Sequence, residues 1–209
     1  MATVVLVRPG CTDFDDQKRI QGSLELPLND RGQSQLTRVI DALRGKSIDA
    51  VLTGPSDPSR SVAAAISEAL DAPLKEKKDL CNLDQGLWQG LSVDEIRRKF
   101  PRVFKQWEDA PETVCPPEGE SVPEGVERLR SVLKKPLRKF DRFVVVASEP
   151  LASLVSCVLR GTEPDAFSET MFGCCEDHLV EVIETSGSSD NCSGSSTELP
   201  LPVTVGSNN

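Results

Sequence analysis

The single histidine is His178, which follows the adjacent pair Cys174 and Cys175. Neighbouring thiols in a Cys-Cys-x-x-His run are poorly spaced for tetrahedral zinc, and no fourth ligand is evident. The cluster is therefore read as a hairpin beside a strand, with no metal expected. Cys11 lies in the run Arg8-Pro9-Gly10-Cys11-Thr12. A thiol beside guanidinium groups has a lowered pKa and becomes reactive; the reading adopted instead is a small residue in a turn. Pro9 offers neither a nucleophilic side chain nor a backbone N–H, and it holds Arg8 in an extended conformation. Trp88 and Trp107 are read as packing residues. Lys75-x-Lys77-Lys78 and Arg97-Arg98-Lys99 are read as solvated faces.

These residues must be positioned by an alternation of strands and helices. Val4–Val7 is a continuous apolar run, as expected of a strand covered on both faces. Leu36, Val39, Ile40 and Leu43 keep a helical spacing, which predicts a helix over 30–44. Ile48–Thr53 reads as a second strand, and Val62, Ile66, Ala69 and Leu70 mark a second helix. Ser92 with Glu95 and Ser121 with Glu124 are capping-box signatures, the second before the stripe Val126, Leu129, Leu133, Leu137. Pro136 is expected to kink or end that helix. Arg142–Ala147 is the strongest strand, Pro150 is expected to open the next helix, and Leu179–Ile183 is a final strand. Such alternation predicts an α/β layered fold with a mainly parallel sheet. The chain divides into a domain over 1–185 and a flexible Ser/Gly/Asn-rich tail over 186–209, where Leu199–Val205 is at most an edge strand.

The formal charge of −9 argues against nucleic acid and anionic membranes as partners. Seven scattered cysteines form no disulfide framework and suit a reducing compartment, so a cytoplasmic location is expected. No stretch is apolar enough to cross a membrane.

Several separate motifs, in order, resemble those of the histidine phosphatase (phosphoglycerate mutase-like) superfamily over roughly residues 3–184. Arg8-x-Gly10-x-Thr12 is similar to its first catalytic motif. Arg19-Ile20-Gln21-Gly22 with Pro27-Leu28-Asn29-x-x-Gly32 is similar to the substrate loop that follows. Thr53-Gly54-Pro55 with Arg60 is similar to the turn carrying a second phosphate-binding arginine. Gly86-x-Trp88-x-Gly90, Gly119-Glu120-Ser121 and Val144-Val145-Val146-Ala147-Ser148 match later segments. The resemblance implies a three-layer α/β/α sandwich. It also implies a reaction through a phosphohistidine, and here the chain departs from the pattern. The nucleophile position is Pro9, the second histidine position is Glu149, the acid/base glutamate position is Asn82, and Asp15 stands for a phosphate-contacting asparagine. Arg8 and Arg60 remain as an anion-binding remnant.

Proline forms no phosphoryl adduct, and an amide at Asn82 does not titrate in a useful range. Glu149 as an acyl-phosphate nucleophile is set aside, since the groups that would assist it are replaced. A carboxylate there competes with phosphate for the arginines: at about 4 Å and an effective dielectric near 20, one such pair is worth about 4 kcal/mol before desolvation. Glu149 is thus expected to pair with Arg8 or Arg60 and fill the old site. The reading is a catalytically inactive member of the superfamily with no cofactor, acting through regulation or a protein partner. Its alternatives are residual or altered phosphatase or mutase activity on a phosphomonoester, and a sensor that binds a phosphate ligand weakly without turnover.

Overall fold

A computed structural model describes residues 1–110, 113–162, 179–185 and 196–198. His178, Cys174, Cys175 and most of 186–209 lie outside the described residues. Six strands form one sheet in the order β3-β2-β4-β1-β5-β6. They are β1 (Ala2–Val7), β2 (Ala50–Thr53), β3 (Leu74–Glu76), β4 (Arg142–Val146), β5 (Val180–Thr185) and β6 (Ser196–Glu198). The first four run parallel, and β5 and β6 are antiparallel to their neighbours.

The strands are apolar on both faces because helices cover both. Val5, Val7, Val51, Val144 and Val146 pack against α2 (Asp30–Leu43) and α3 (Ser59–Leu70) through Val39, Leu43, Val62 and Ile66. The alternate residues Val4, Leu6, Leu52, Phe143 and Val145 face the other layer. That layer holds α4 (Val93–Lys99), α5 (Pro101–Asp109), α6 (Val122–Lys139) and α7 (Leu151–Arg160). The period-two alternation of side chains along a strand feeds two separate cores from one apolar run. Trp88 and Trp107 are buried in the second core, as the sequence indicated. A short α1 (Asp13–Asp16) follows the first turn.

Both capping boxes are present: Ser92 Oγ accepts from Glu95 N at α4, and Ser121 Oγ from Glu124 N at α6. Two expectations need correction. Pro136 neither ends nor breaks α6, which continues to Lys139. The proline forfeits only its own donation to the carbonyl four residues back, while Phe140 N still donates to Pro136 O, and the proline is buried. Pro150 is the cap of α7 rather than its first helical residue, and the Glu149–Pro150 peptide is cis. Within 186–209 a short strand lies at Ser196–Glu198, and Leu199–Val205 lies outside the described residues. The Ser-Thr-Glu run carries no apolar alternation to announce it.

The candidate active-site crevice

The parallel strands β1, β2 and β4 deliver Arg8, Thr53 and Ser148 to one edge of the sheet, at their carboxyl ends, where open α/β sheets bind ligands. The turn after β1 is fixed against α2. Gly10 adopts φ +104° and Gly32 lies so close that a Cβ on it would fall 2.2 Å from Cys11 O. Cys11 N donates to Gln35 Oε1 at 2.8 Å, and Asn29 N donates to Cys11 O at 3.0 Å. The Cys11 side chain is fully buried in this junction, which agrees with a packing role. Thr12 N and Oγ1 both donate to Asp15 Oδ2, at 2.6 and 2.8 Å. Asp15 thus has its carboxylate engaged at the start of α1.

Arg8 Nε donates to Glu149 Oε1 at 2.6 Å, and the two side chains are 11% and 8% exposed. The other carboxylate oxygen of Glu149 accepts from Ser153 Oγ at 2.8 Å and Ser153 N at 3.2 Å, in the first turn of α7. Glu149 therefore bridges a buried guanidinium and the amino end of a helix, two features that elsewhere bind a ligand anion. The opposite flank of Arg8 meets Glu181 of β5 at 3.4 Å, and Glu181 also takes Arg160 at 2.6 Å and Ser156 at 2.7 Å. Burial disfavours the charge on Arg8, yet Glu149 and then Glu181 hold its pKa above the ordinary arginine range. Burial likewise works to raise Glu181, but its bonds to Ser156 and Arg160 and the charge of Arg8 hold it below the usual carboxylate range.

Arg60 does not join this cluster. Its side chain is 48% exposed and pairs with Asp57 at 3.3 Å. Of the two arginines expected as partners of Glu149, Arg8 is the one that pairs with it, while the first turn of α3 carries Arg60 outward beside Asp57. Asn82, expected only as a lost acid, ties the crevice together. Its Nδ2 donates at 2.9 Å to both Gly22 O and Glu149 O, and its Oδ1 accepts from Leu83 N and Leu151 N. A glutamate could not make those two donations. Ser59 Oγ and Ser148 Oγ are 3.0 Å apart and both buried, joining the β2 and β4 turns. The adjoining cavity, lined by Gly54, Asp57, Ser59, Asn82 and Ser148 among others, measures about 10 Å³. That space is on the scale of one water molecule, and Arg8, Pro9 and Glu149 do not line it.

The family model of the histidine phosphatase superfamily (branch 1) matches residues 4–190. The chain belongs to that superfamily. It is 27% identical over 177 residues to "Phosphoserine phosphatase 1" of Hydrogenobacter thermophilus, covering 83% of this chain and 82% of that protein. It is 25% identical over 181 residues to "Uncharacterized phosphatase PhoE" of Bacillus subtilis, covering 86% and 88%. Among solved structures, Bacillus stearothermophilus YhfR superposes with a TM-score of 0.79 at 21% identity over 95% of this chain and 96% of that one. The alpha-ribazole phosphatase of Shigella flexneri gives 0.77 at 17% identity over 99% and 100%. These likenesses establish the phosphoglycerate mutase-like fold with its mainly parallel sheet.

Glu181, Ser153 and Asn82's backbone bonds were not legible as site features from the sequence. The available signal for Glu181 is an acidic residue inside the alternating Val180–Ile183 strand. Among the described residues no group of three His, Cys, Asp or Glu side chains is placed to hold a metal, and no helix is long and apolar enough to cross a membrane.

Proposed function

We propose that this protein is a non-catalytic member of the histidine phosphatase superfamily, with a regulatory or protein-interaction role. The observation that carries the reading is the buried contact of Arg8 with Glu149, beside Pro9. A carboxylate of the chain itself takes the guanidinium and helix-end donors that a phosphoryl group needs, and the residue between Arg8 and Gly10 has no lone pair to attack phosphorus. Asn82 serves as a donor and structural tie, not as a proton source. Loss of a nucleophile together with its assisting groups leaves little rate to recover.

A phosphatase-type activity is the second reading, favoured by the phosphatase names of its relatives and by the presence of both arginines. A generic phosphomonoester assay separates the two. With p-nitrophenyl phosphate, the wild type is expected to turn over no faster than Arg8→Ala. Turnover that disappears in Arg8→Ala, or a phosphate adduct trapped on a residue of this crevice, refutes the non-catalytic reading.

A further inference from the structure

Lys75 and Lys77, read from the sequence as part of a solvated face, meet lysines of α6 in the folded chain. A groove of about 350 Å³ is lined by residues of edge strand β3 and of α6. Its apolar lining is the half-buried Val132 and Phe140 over the buried Leu52 and Pro136, and Lys75, Lys77, Lys135 and Lys139 line it as well. Val132, Lys135, Pro136 and Lys139 fall at i, i+3, i+4 and i+7, so a single stripe of α6 forms one wall. A shallower depression continues along the helix past Lys134 and Arg138. These six basic residues face one acidic one, Asp79, in a chain whose net charge is −9. None of the six makes an ion pair among the described residues.

The chemistry of the groove selects its occupant. Lysines are separate point charges rather than bidentate forks. Spaced carboxylates on an extended chain suit spaced ammonium groups. The wall from Ser131 to Phe140 runs about 14 Å, the length of four or five extended residues. Among the described residues β3 is an edge of the sheet, and edge lysines that repel most strands attract an acidic one. A strand laid there turns alternate side chains toward the groove.

We propose that this groove docks an extended acidic segment of a partner protein, its carboxylates among Lys75, Lys77, Lys135 and Lys139 and one apolar side chain on the apolar lining. The site shares no lining residue with the crevice beside Asn82, so it stands or falls apart from the non-catalytic reading.

The test is fluorescence anisotropy with the full chain and a labelled Glu-Glu-Leu-Glu-Glu peptide as probe. Binding is expected to exceed that of Gln-Gln-Leu-Gln-Gln, and the exposed pair Lys135→Glu with Lys139→Glu is expected to weaken it by about tenfold or more. Arg98→Glu, on another exposed basic face, is expected to leave it within about twofold. Absence of binding, equal affinity for the glutamine peptide, or indifference to the double reversal overturns the proposal. Displacement of the probe by pyrophosphate as effectively as by unlabelled peptide overturns it too, because the site would then be one for small anions.

Discussion

Replacing Glu149 with glutamine is the most informative perturbation of the crevice. The substitution keeps the shape and removes the charge that neutralises Arg8 at 2.6 Å, where both side chains are almost wholly buried. Breaking a buried pair by removing one member costs about 3–5 kcal/mol. Glu181 remains 3.4 Å from Arg8 on its other flank, which places the loss near the lower end of that range. At roughly 2–4 °C per kcal/mol for a chain of this size, the melting temperature should fall by about 6–12 °C. The same change leaves Arg8 and the Ser153 N–H without their internal anion. Inorganic phosphate should therefore protect Glu149→Gln against thermal unfolding while leaving the wild type unmoved, at matched ionic strength. Thermal denaturation followed by circular dichroism in phosphate and in chloride measures both effects. A variant as stable as the wild type, or a wild type stabilised by phosphate as strongly as the variant, would refute the view that Glu149 fills the old anion site.

Pro9→His alone should not create turnover of p-nitrophenyl phosphate, because Glu149 still holds Arg8 and Asn82 still lacks a proton to give; a phosphatase assay of the single variant decides this. The native-state pKa of Glu181 is depressed, so its stabilisation is full above its unfolded value of about 4.3 and is lost as pH falls through the lower folded value. Glu181→Gln should accordingly be less stable than the wild type at neutral pH, with the gap closing as denaturant melts are taken down toward about pH 3. Arg128 donates to both oxygens of Glu120 and to the carbonyls of Asp79 and Cys81, anchoring the segment that leads to Asn82. Arg128→Ala should cost about 2–3 kcal/mol in urea unfolding, since a charge-assisted pair and two carbonyls lose their donor.

The limits of the sequence show in particular residues. Val4–Val7 and Phe143–Val146 could be recognised as central strands because burial on both faces demands an unbroken apolar run. Ser92–Glu95 and Ser121–Glu124 marked helix starts because the capping box is a contact between residues three apart. Strand β3 was missed: Leu74-Lys75-Glu76 is a three-residue edge strand with little to bury, so no periodicity betrays it. The choice between Arg8 and Arg60 as the partner of Glu149 was equally invisible. It depends on where α3 and α7 start relative to the ends of β1 and β4, which local pattern does not encode.

What the chain order determined unaided was the absence of a nucleophile between Arg8 and Gly10, and the layered fold built by alternating strands and helices. Both are local properties, set by one side chain's chemistry or by a repeat of a few residues. What only the folded chain decided was that Glu149, 141 positions away, lies against Arg8, and that Asn82 hydrogen-bonds to the carbonyl of Glu149. It also decided that lysines of β3 and α6 share one groove. Such contacts join residues far apart in sequence, and they follow from sheet order and helix packing, which the whole core fixes together.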